Sequence, residues 1–318
     1  MSASSARPVR AVVFAYHDVG VRCLRTLLAH GVQVPLVISH ADDPAETIWF
    51  DSVARHAAWH GLPVRQVSDA QGAELLEAVR AARPDFLFSF YFRALLPAAL
   101  LASASRGAYN MHGSLLPRYR GRAPVNWAVL HGERESGATL HAMTEAPDAG
   151  PIVAQRSVPI LPDDTAIEVF HKVTVAAEQA LHGCLPALLA GHAPHVPQDL
   201  AAGSYFGRRT ARDGAIDWQR GAAAAHNLIR AVAPPYPGAF SRAAGEPLVI
   251  RRSLLGPSEL AAAQPSLCHR RGDVYALCPD GAVKLLEFEL GAQVRDAESF
   301  RQRFGERAVL LEPALEAK

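Results

Sequence analysis

The stretch Arg10–Ser39, RAVVFAYHDVGVRCLRTLLAHGVQVPLVIS, decides the fold. Its opening, Arg10–Tyr16, is an almost unbroken apolar run, the pattern of a strand buried on both faces. A short loop, HDVG, leads into Val21–His30, an amphipathic helix closed by Gly31. Val34–Ser39 is apolar again and reads as a second strand. Strand, helix and strand at this spacing form a right-handed parallel unit. The first loop has no G-x-G-x-x-G, which argues against a dinucleotide held at the first helix.

The same alternation continues outward. A helix over 45–60 ends at Gly61, and Pro63–Val67 is a third strand. Gln71–Ala82 is a helix, Asp85–Phe90 a strand after Pro84, Leu95–Ser103 a helix, and Ala108–Met111 a strand. The expected architecture is α/β, a Rossmann-like parallel sheet with helices on both faces and ligands beyond the carboxyl ends of the strands. Pro124–Leu130 reads as a helix, and Ala138–Met143 and Ile152–Pro159 read as strands. Asp163–Leu189 is a long helix with Asp163 or Asp164 as its cap. From about 191 to 213 the composition turns to Gly, Pro, His and Arg without periodicity. Beyond it, Ala215–Trp218, Leu248–Arg252, Asp273–Leu277 and Val283–Glu289 are short strands. A helix, Ala222–Ala233, interrupts them and is stopped by Pro234, Pro235 and Pro237. Short strands with turn signals suggest a small β-barrel. The expected organisation is a disordered leader (1–8), a catalytic domain (9–192), a linker (193–213) and a barrel domain (214–318).

Composition narrows the function classes. The chain has 318 residues, 49% hydrophobic, and a formal net charge of +1. That balance gives no global electrostatic case for a nucleic-acid partner. Cys23, Cys184, Cys268 and Cys278 form no C-x-x-C pair, so neither a zinc ribbon nor a disulfide framework is expected. The N-terminus lacks the apolar region of a signal peptide, and no apolar run reaches the length of a membrane span. The expectation is a cytoplasmic protein without a membrane or metal requirement.

The chemistry concentrates in Tyr109–Asn126, YNMHGSLLPRYRGRAPVN. Asn110 and His112 are two apart at a strand end, so they face one side. A carboxamide can donate a hydrogen bond there, and an imidazole can move a proton near neutral pH. Asp148, in TEAPDAG, is the carboxylate candidate. Arg118, Arg120 and Arg122 crowd the following loop, either as a solvated turn or as a clamp for phosphate or carboxylate groups. Arg208 and Arg209 offer more of the same positive surface. Ser114 lacks a nucleophile elbow. His56 and His60 have no glutamate between them in the zinc-protease sense and read as a solvated helix face; His192 and His195 read as exposed.

The run N-x-H-G-S-L-L-P-x-Y-R-G-R-A-P-x-N-W, then T-L-H and D-A-G, resembles the 10-formyltetrahydrofolate-dependent formyltransferases. The likeness begins at Phe14–Asp18, passes Phe88–Tyr91 and Phe206–Thr210, and reaches Pro237–Ser241. Within that family it is nearest the formyltransferase portion of the bifunctional enzymes that modify 4-amino-4-deoxy-L-arabinose for lipid A. The resemblance implies an OB-like C-terminal domain and 10-formyltetrahydrofolate as co-substrate, with no metal. It implies UDP-4-amino-4-deoxy-L-arabinose as the acceptor, in a pathway linked to polymyxin resistance. A separate polypeptide would then carry the oxidative decarboxylation. Asn110, His112 and Asp148 would be catalytic through a tetrahedral intermediate. Ala94, Leu95, Leu96, Arg122 and the Thr144, Glu145, Ala146, Pro147, Asp148 loop would seat the folate. Ser114, Arg122 and Asn126 would meet the acceptor. TEAP before Asp148 is less basic than the family pattern. Methionyl-tRNA formyltransferases share the Asn-x-His pair and the Asp. They usually open with a different first loop and carry a basic insertion where this chain has the acidic HADDPAETIWF. A further alternative is a folate- or nucleotide-binding module without turnover.

Overall fold

The computed structural model describes residues 7–44 and 46–314. In chain order the elements are β1 (Arg10–Ala15), α1 (His17–Ala29), β2 (Gln33–Ser39), α2 (Val53–Trp59), β3 (Val64–Gln66), α3 (Ala73–Ala81), β4 (Phe86–Phe90), α4 (Ala98–Leu101) and β5 (Ala108–His112). There follow β6 (Arg120–Gly121), α5 (Pro124–Leu130), β7 (Glu135–Ala142), β8 (Ile152–Pro159), α6 (Ala166–Ala190) and β9 (Tyr205–Phe206). The remainder is α7 (Ala222–Ala231), β10 (Ala239–Ala243), β11 (Glu246–Leu255), β12 (Ser266–Arg270), β13 (Asp273–Cys278), β14 (Gly281–Leu290), α8 (Ala297–Phe304) and β15 (Val309–Glu312).

Two compact units divide the chain. The first runs to Pro124 and takes in 136–158 and 171–206; the second holds 125–135, 159–170 and everything from Gly207 on. In the first unit a seven-stranded sheet has the order β3-β2-β1-β4-β5-β7-β8. β1 pairs in parallel with β2 and β4, and β4 with β5. Every β1 residue after Arg10 is buried, so both faces of the strand are covered. Val12 and Phe14 join one core with Leu75, Val79 and Leu100 from the helices. The order reverses between β1 and β4, and this is where open α/β sheets bind ligands.

The sheet departs from the all-parallel expectation at one edge. β7 runs antiparallel to β5, with Asn110 opposite His141 and His112 opposite Thr139. The second unit contains a closed antiparallel barrel, β10-β11-β14-β13-β12-β15, around Leu248, Ile250, Leu267, Val283 and Phe300. α7 joins that core through Ala225 and Ile229.

Several local expectations are corrected. α1 already begins at His17 rather than Val21. The helix expected over 45–60 is only α2, because Ser52 caps it by accepting from Arg55 N, and the preceding segment is an irregular loop; Ala45 lies outside the described residues. Pro97 sets the start of α4, which is much shorter than 95–103. Thr165, not Asp163 or Asp164, stands before α6, with Glu168 Oε2 accepting from its N–H and its hydroxyl at 2.7 Å each. Ala215–Trp218 is no strand: Ala215 makes one bridge to Phe240, and Asp217 caps a 3-10 turn over Trp218–Arg220. α6 is long and apolar enough to cross a membrane by length and composition, contrary to the sequence reading. Its row Val169, Val173, Ala177, Leu181 and Leu185 is fully buried, as in a core helix. Leu116–Pro117 and Pro234–Pro235 are cis; the bond before Pro147 is not. Of the expected leader, 1–6 lie outside the described residues, and Arg7 pairs with Asp85 at 2.5 Å. Within 193–213, Val196 bridges Ile152 and β9 pairs with β6.

Candidate active site

β5 ends on Asn110, Met111 and His112. Met111 is buried in the sheet, and the pleat sends its two neighbours to the opposite side. A Cβ on Gly113 would lie 1.8 Å from Tyr91 Oη, so any larger residue here would require the Tyr91 side chain to shift. The chain then folds back on itself. His112 Nε2 donates to Tyr119 O at 2.8 Å, and Ser114 Oγ donates to Arg118 O at 2.7 Å. Gly121, at φ +94°, lies so close to Phe206 that a Cβ would come within 2.2 Å of its carbonyl. From this position the Gly121 N–H donates to Asp148 Oδ2 at 2.9 Å.

Asp148 arrives from the β7–β8 loop in the left-handed region, φ 54°. Gln198 Nε2 donates to the carbonyls of Asp148 (3.0 Å) and Gly150 (2.6 Å), holding the loop. Asp148 Oδ1 stands 3.5 Å from His112 Nδ1 and 3.6 Å from His141 Nε2. Asn110 Nδ2 lies 3.2 Å from His141 Nε2. A carboxamide and an imidazole from β5 thus converge with a carboxylate from a separate loop at the carboxyl end of that strand.

The protonation pattern follows from the surroundings. Tyr119 O can only accept, so His112 Nε2 carries hydrogen and Nδ1 of the neutral ring is bare. Burial pushes the His112 pKa below the ordinary histidine value, and Asp148 pulls only partly the other way. Burial would raise the Asp148 carboxyl, but the neighbouring His112, His141 and Gly121 N–H together hold it far below the usual carboxylate range. At neutral pH the site therefore holds a carboxylate beside a neutral imidazole whose free nitrogen is a base. Among the described residues, four of the eight non-glycine positions at positive φ, Tyr91, Tyr119, Ala123 and Asp148, lie in loops around this strand end. Such backbone strain gathers at functional sites.

The other residues singled out in the sequence divide. The 90–96, 113–123 and 144–148 loops are tied together, because Arg122 Nη2 donates to Arg93 O at 3.4 Å and Gly121 N to Asp148. Leu95 is 69% exposed on this rim while Leu96 is buried. Thr144, Glu145, Ala146 and Pro147 are exposed to differing degrees, none of them buried. Ser114 is buried, its hydroxyl committed to Arg118 O. Asn126 belongs to the second unit, buried, with Nδ2 donating to Ala231 O. Arg209, also in that unit, stacks on Trp127 with its guanidinium 5.0 Å from the ring centre. Arg120 Nη2 reaches Leu200 O at 3.5 Å. His56 is not solvated; it is buried and bonds Asp51 Oδ2 at 2.5 Å. His195, though exposed, accepts from Tyr109 Oη at 3.0 Å. Among the described residues no group of three His, Cys, Asp or Glu is arranged for a metal. Sequence reasoning missed His141 and Tyr91. Residues 139–141, T-L-H, marked the first, but its place opposite Asn110 depends on the β5–β7 register.

Comparison with known proteins agrees with this architecture. The family model described as formyl transferase matches residues 21–185, and the formyl transferase C-terminal domain model matches residues 209–305. Among solved structures, the chain is similar to an N-formyltransferase from Helicobacter canadensis in complex with folinic acid and dTDP-3-aminofucose. The TM-score is 0.67 at 19% identity, covering 89% of this chain and 100% of that one. It is also similar to WlaRD, a sugar 3N-formyl transferase in the presence of dTDP and 5-N-formyl-THF (TM-score 0.69, 18% identity, 91% and 100% covered). HypX from Aquifex aeolicus in complex with tetrahydrofolic acid matches with TM-score 0.60 and 19% identity over 91% of this chain and 45% of that chain. At these identities the likeness is one of fold.

Proposed function

The chain belongs to the formyl transferase family, and we propose that it moves the formyl group of 10-formyltetrahydrofolate onto the primary amine of a nucleotide-linked amino sugar. The acceptor we place first is the 4-amino group of UDP-4-amino-4-deoxy-L-arabinose. The observation that supports the reading is the convergence of Asn110, His112 and Asp148 within 3.5 Å for the acid–base pair and one residue's reach for the amide.

The donor supplies an electrophilic formyl carbon. The rim that suits its flat, partly apolar pterin is the exposed Leu95 with the Ala94–Leu96 and Thr144–Pro147 backbone. The residues of the chain then have separate tasks. Asn110 Nδ2 gives one hydrogen to His141 and keeps a second for the formyl oxygen as it gains charge; one such donor is worth about 2.7–4 kcal/mol of barrier. His112 Nδ1 takes the proton that the amine releases as the new C–N bond forms. It returns that proton to the folate nitrogen as the old C–N bond breaks. Asp148 stabilises the imidazolium between the two steps, and its left-handed backbone holds the carboxylate in place.

The acceptor class is supported by charge as well as resemblance. In the acidic segment after β2, Asp42 Oδ1 accepts from Tyr16 Oη at 2.8 Å, and Glu46 holds Arg93 by two bonds of 2.6 and 2.7 Å. This surface carries carboxylates where a tRNA would need cations. The solved sugar N-formyltransferases named above, with dTDP or a dTDP-linked amino sugar, support a nucleotide-linked acceptor. The test is incubation with 10-formyltetrahydrofolate and, in parallel, UDP-4-amino-4-deoxy-L-arabinose, dTDP-linked amino sugars and charged initiator tRNA. Folate release and formylated product are followed. Product with the UDP sugar is expected; product with tRNA alone would sink the proposal, and product with a dTDP sugar alone would reassign the acceptor.

A further inference from the structure

A carboxamide offers two faces to a reaction centre, and only one is useful to a developing oxyanion. Its N–H stabilises negative charge; its C=O repels it. Something in this site must choose between them, because rotation by 180° exchanges the two at little steric cost. His141 stands directly across from Asn110 in the β5–β7 ladder. Its ring is 2% exposed and packed beneath the site. His141 Nδ1 lies 2.9 Å from Ala142 O. A carbonyl only accepts, so that nitrogen carries hydrogen and Nε2 of the neutral ring is bare. Nε2 is 3.2 Å from Asn110 Nδ2, and a bare nitrogen there can only receive. The polarity of the amide is thereby set from a backbone carbonyl, through one imidazole. Asp148 Oδ1 is the more distant neighbour of the same Nε2, at 3.6 Å against 3.2 Å for Asn110 Nδ2.

We propose that His141 is a positioning residue: by accepting one N–H of Asn110 it keeps the second N–H, rather than the carbonyl, turned to the reacting formyl oxygen. This rests on the formyl-transfer reading for the task of Asn110, but the polarity itself does not. His141 is thus the lower half of a two-residue device built across the one antiparallel pairing that β5 makes.

Two variants separate positioning from bulk. His141→Gln places an amide oxygen about where Nε2 lies; His141→Phe keeps the ring volume and removes the acceptor. The Phe variant should lose about 10- to 100-fold in kcat, short of the loss for deleting an oxyanion donor outright, with KM for donor and acceptor within about threefold. The Gln variant should stay within about fivefold of the parent, and in an Asn110→Ala background His141→Phe should cost less than about twofold, because the two act as one unit. Parent-like kcat in the Phe variant, or an undiminished loss in the Asn110→Ala background, would overturn the assignment. Nitrogen NMR of the resting protein with labelled histidine reads the polarity without any turnover. Hydrogen on Nδ1 and a bare Nε2 of His141 is expected, and hydrogen on Nε2 overturns the inference. Absence of formyl transfer to every acceptor would defeat the functional reading alone, leaving the NMR result to decide this one.

Discussion

His112 works at the balance of two opposed effects. Burial disfavours its charged form and Asp148 favours it, and burial prevails, so the ring rests neutral with Nδ1 free. In the proposed chemistry, His112→Ala should lower kcat by about 10²–10⁴, the usual contribution of a general acid–base, while folate affinity measured by fluorescence titration changes little. A variant with near-parent turnover would remove the ring from the mechanism. Asp148→Asn withdraws the group that favours the imidazolium, so the His112 pKa falls further. The acidic limb of the pH–kcat profile should therefore move to lower pH; movement to higher pH would contradict the assigned pair.

At the scale of elements, the site depends on close backbone approaches. A Cβ at Gly150 would meet Ala142 O at 1.9 Å, so this glycine fastens the Asp148 loop against the end of β7. Gly183, in the middle of α6, meets nothing within 4 Å. The same substitution should then have opposite signs at the two places. Gly183→Ala should raise unfolding free energy by about 0.5–1 kcal/mol, because glycine in a helix interior costs that much relative to alanine. Gly150→Ala should lower it and reduce kcat as well, since a backbone oxygen cannot move aside as a side-chain tip can. Urea denaturation of both variants checks the pair.

Across the whole molecule, buried neutral histidines link stability to pH. Burial lowers the His17 pKa from the usual 6.5 to about 3, and burial lowers that of His226 as well. His17 belongs to the first unit and His226 to the second. In the unfolded chain each takes up a proton near 6.5; in the folded chain each resists it. Their stabilisation is therefore complete above about pH 6.5 and is lost as pH falls, for His17 until about 3. Each such group contributes a slope of about 1.4 kcal/mol per pH unit within its window. Denaturant melts between pH 7 and pH 4.5 should show stability falling, and His17→Phe should flatten part of the slope. A stability independent of pH over that range would refute the account.

Much of this was readable in the chain order alone. Apolar runs of strand length alternating with amphipathic helices identified the α/β sheet, because burial on two faces leaves a pattern that needs no partner to be seen. The Asn110-x-His112 spacing placed two side chains on one side, since the pleat has a period of two. What could not be read was which segments meet. The antiparallel pairing of β7 with β5 brings His141 under Asn110, and the Gly121 N–H captures Asp148 from a separate loop. Both depend on register and chain reversal between residues some thirty apart, contacts that no local spacing encodes. The shortened α2 and the shifted cap of α6 have the same origin: Ser52 and Thr165 with Glu168 satisfy backbone donors that periodicity does not count. Local structure follows from how apolar and polar residues alternate within a single segment, whereas the site is set by which backbone donors and buried charges find each other once the segments pack.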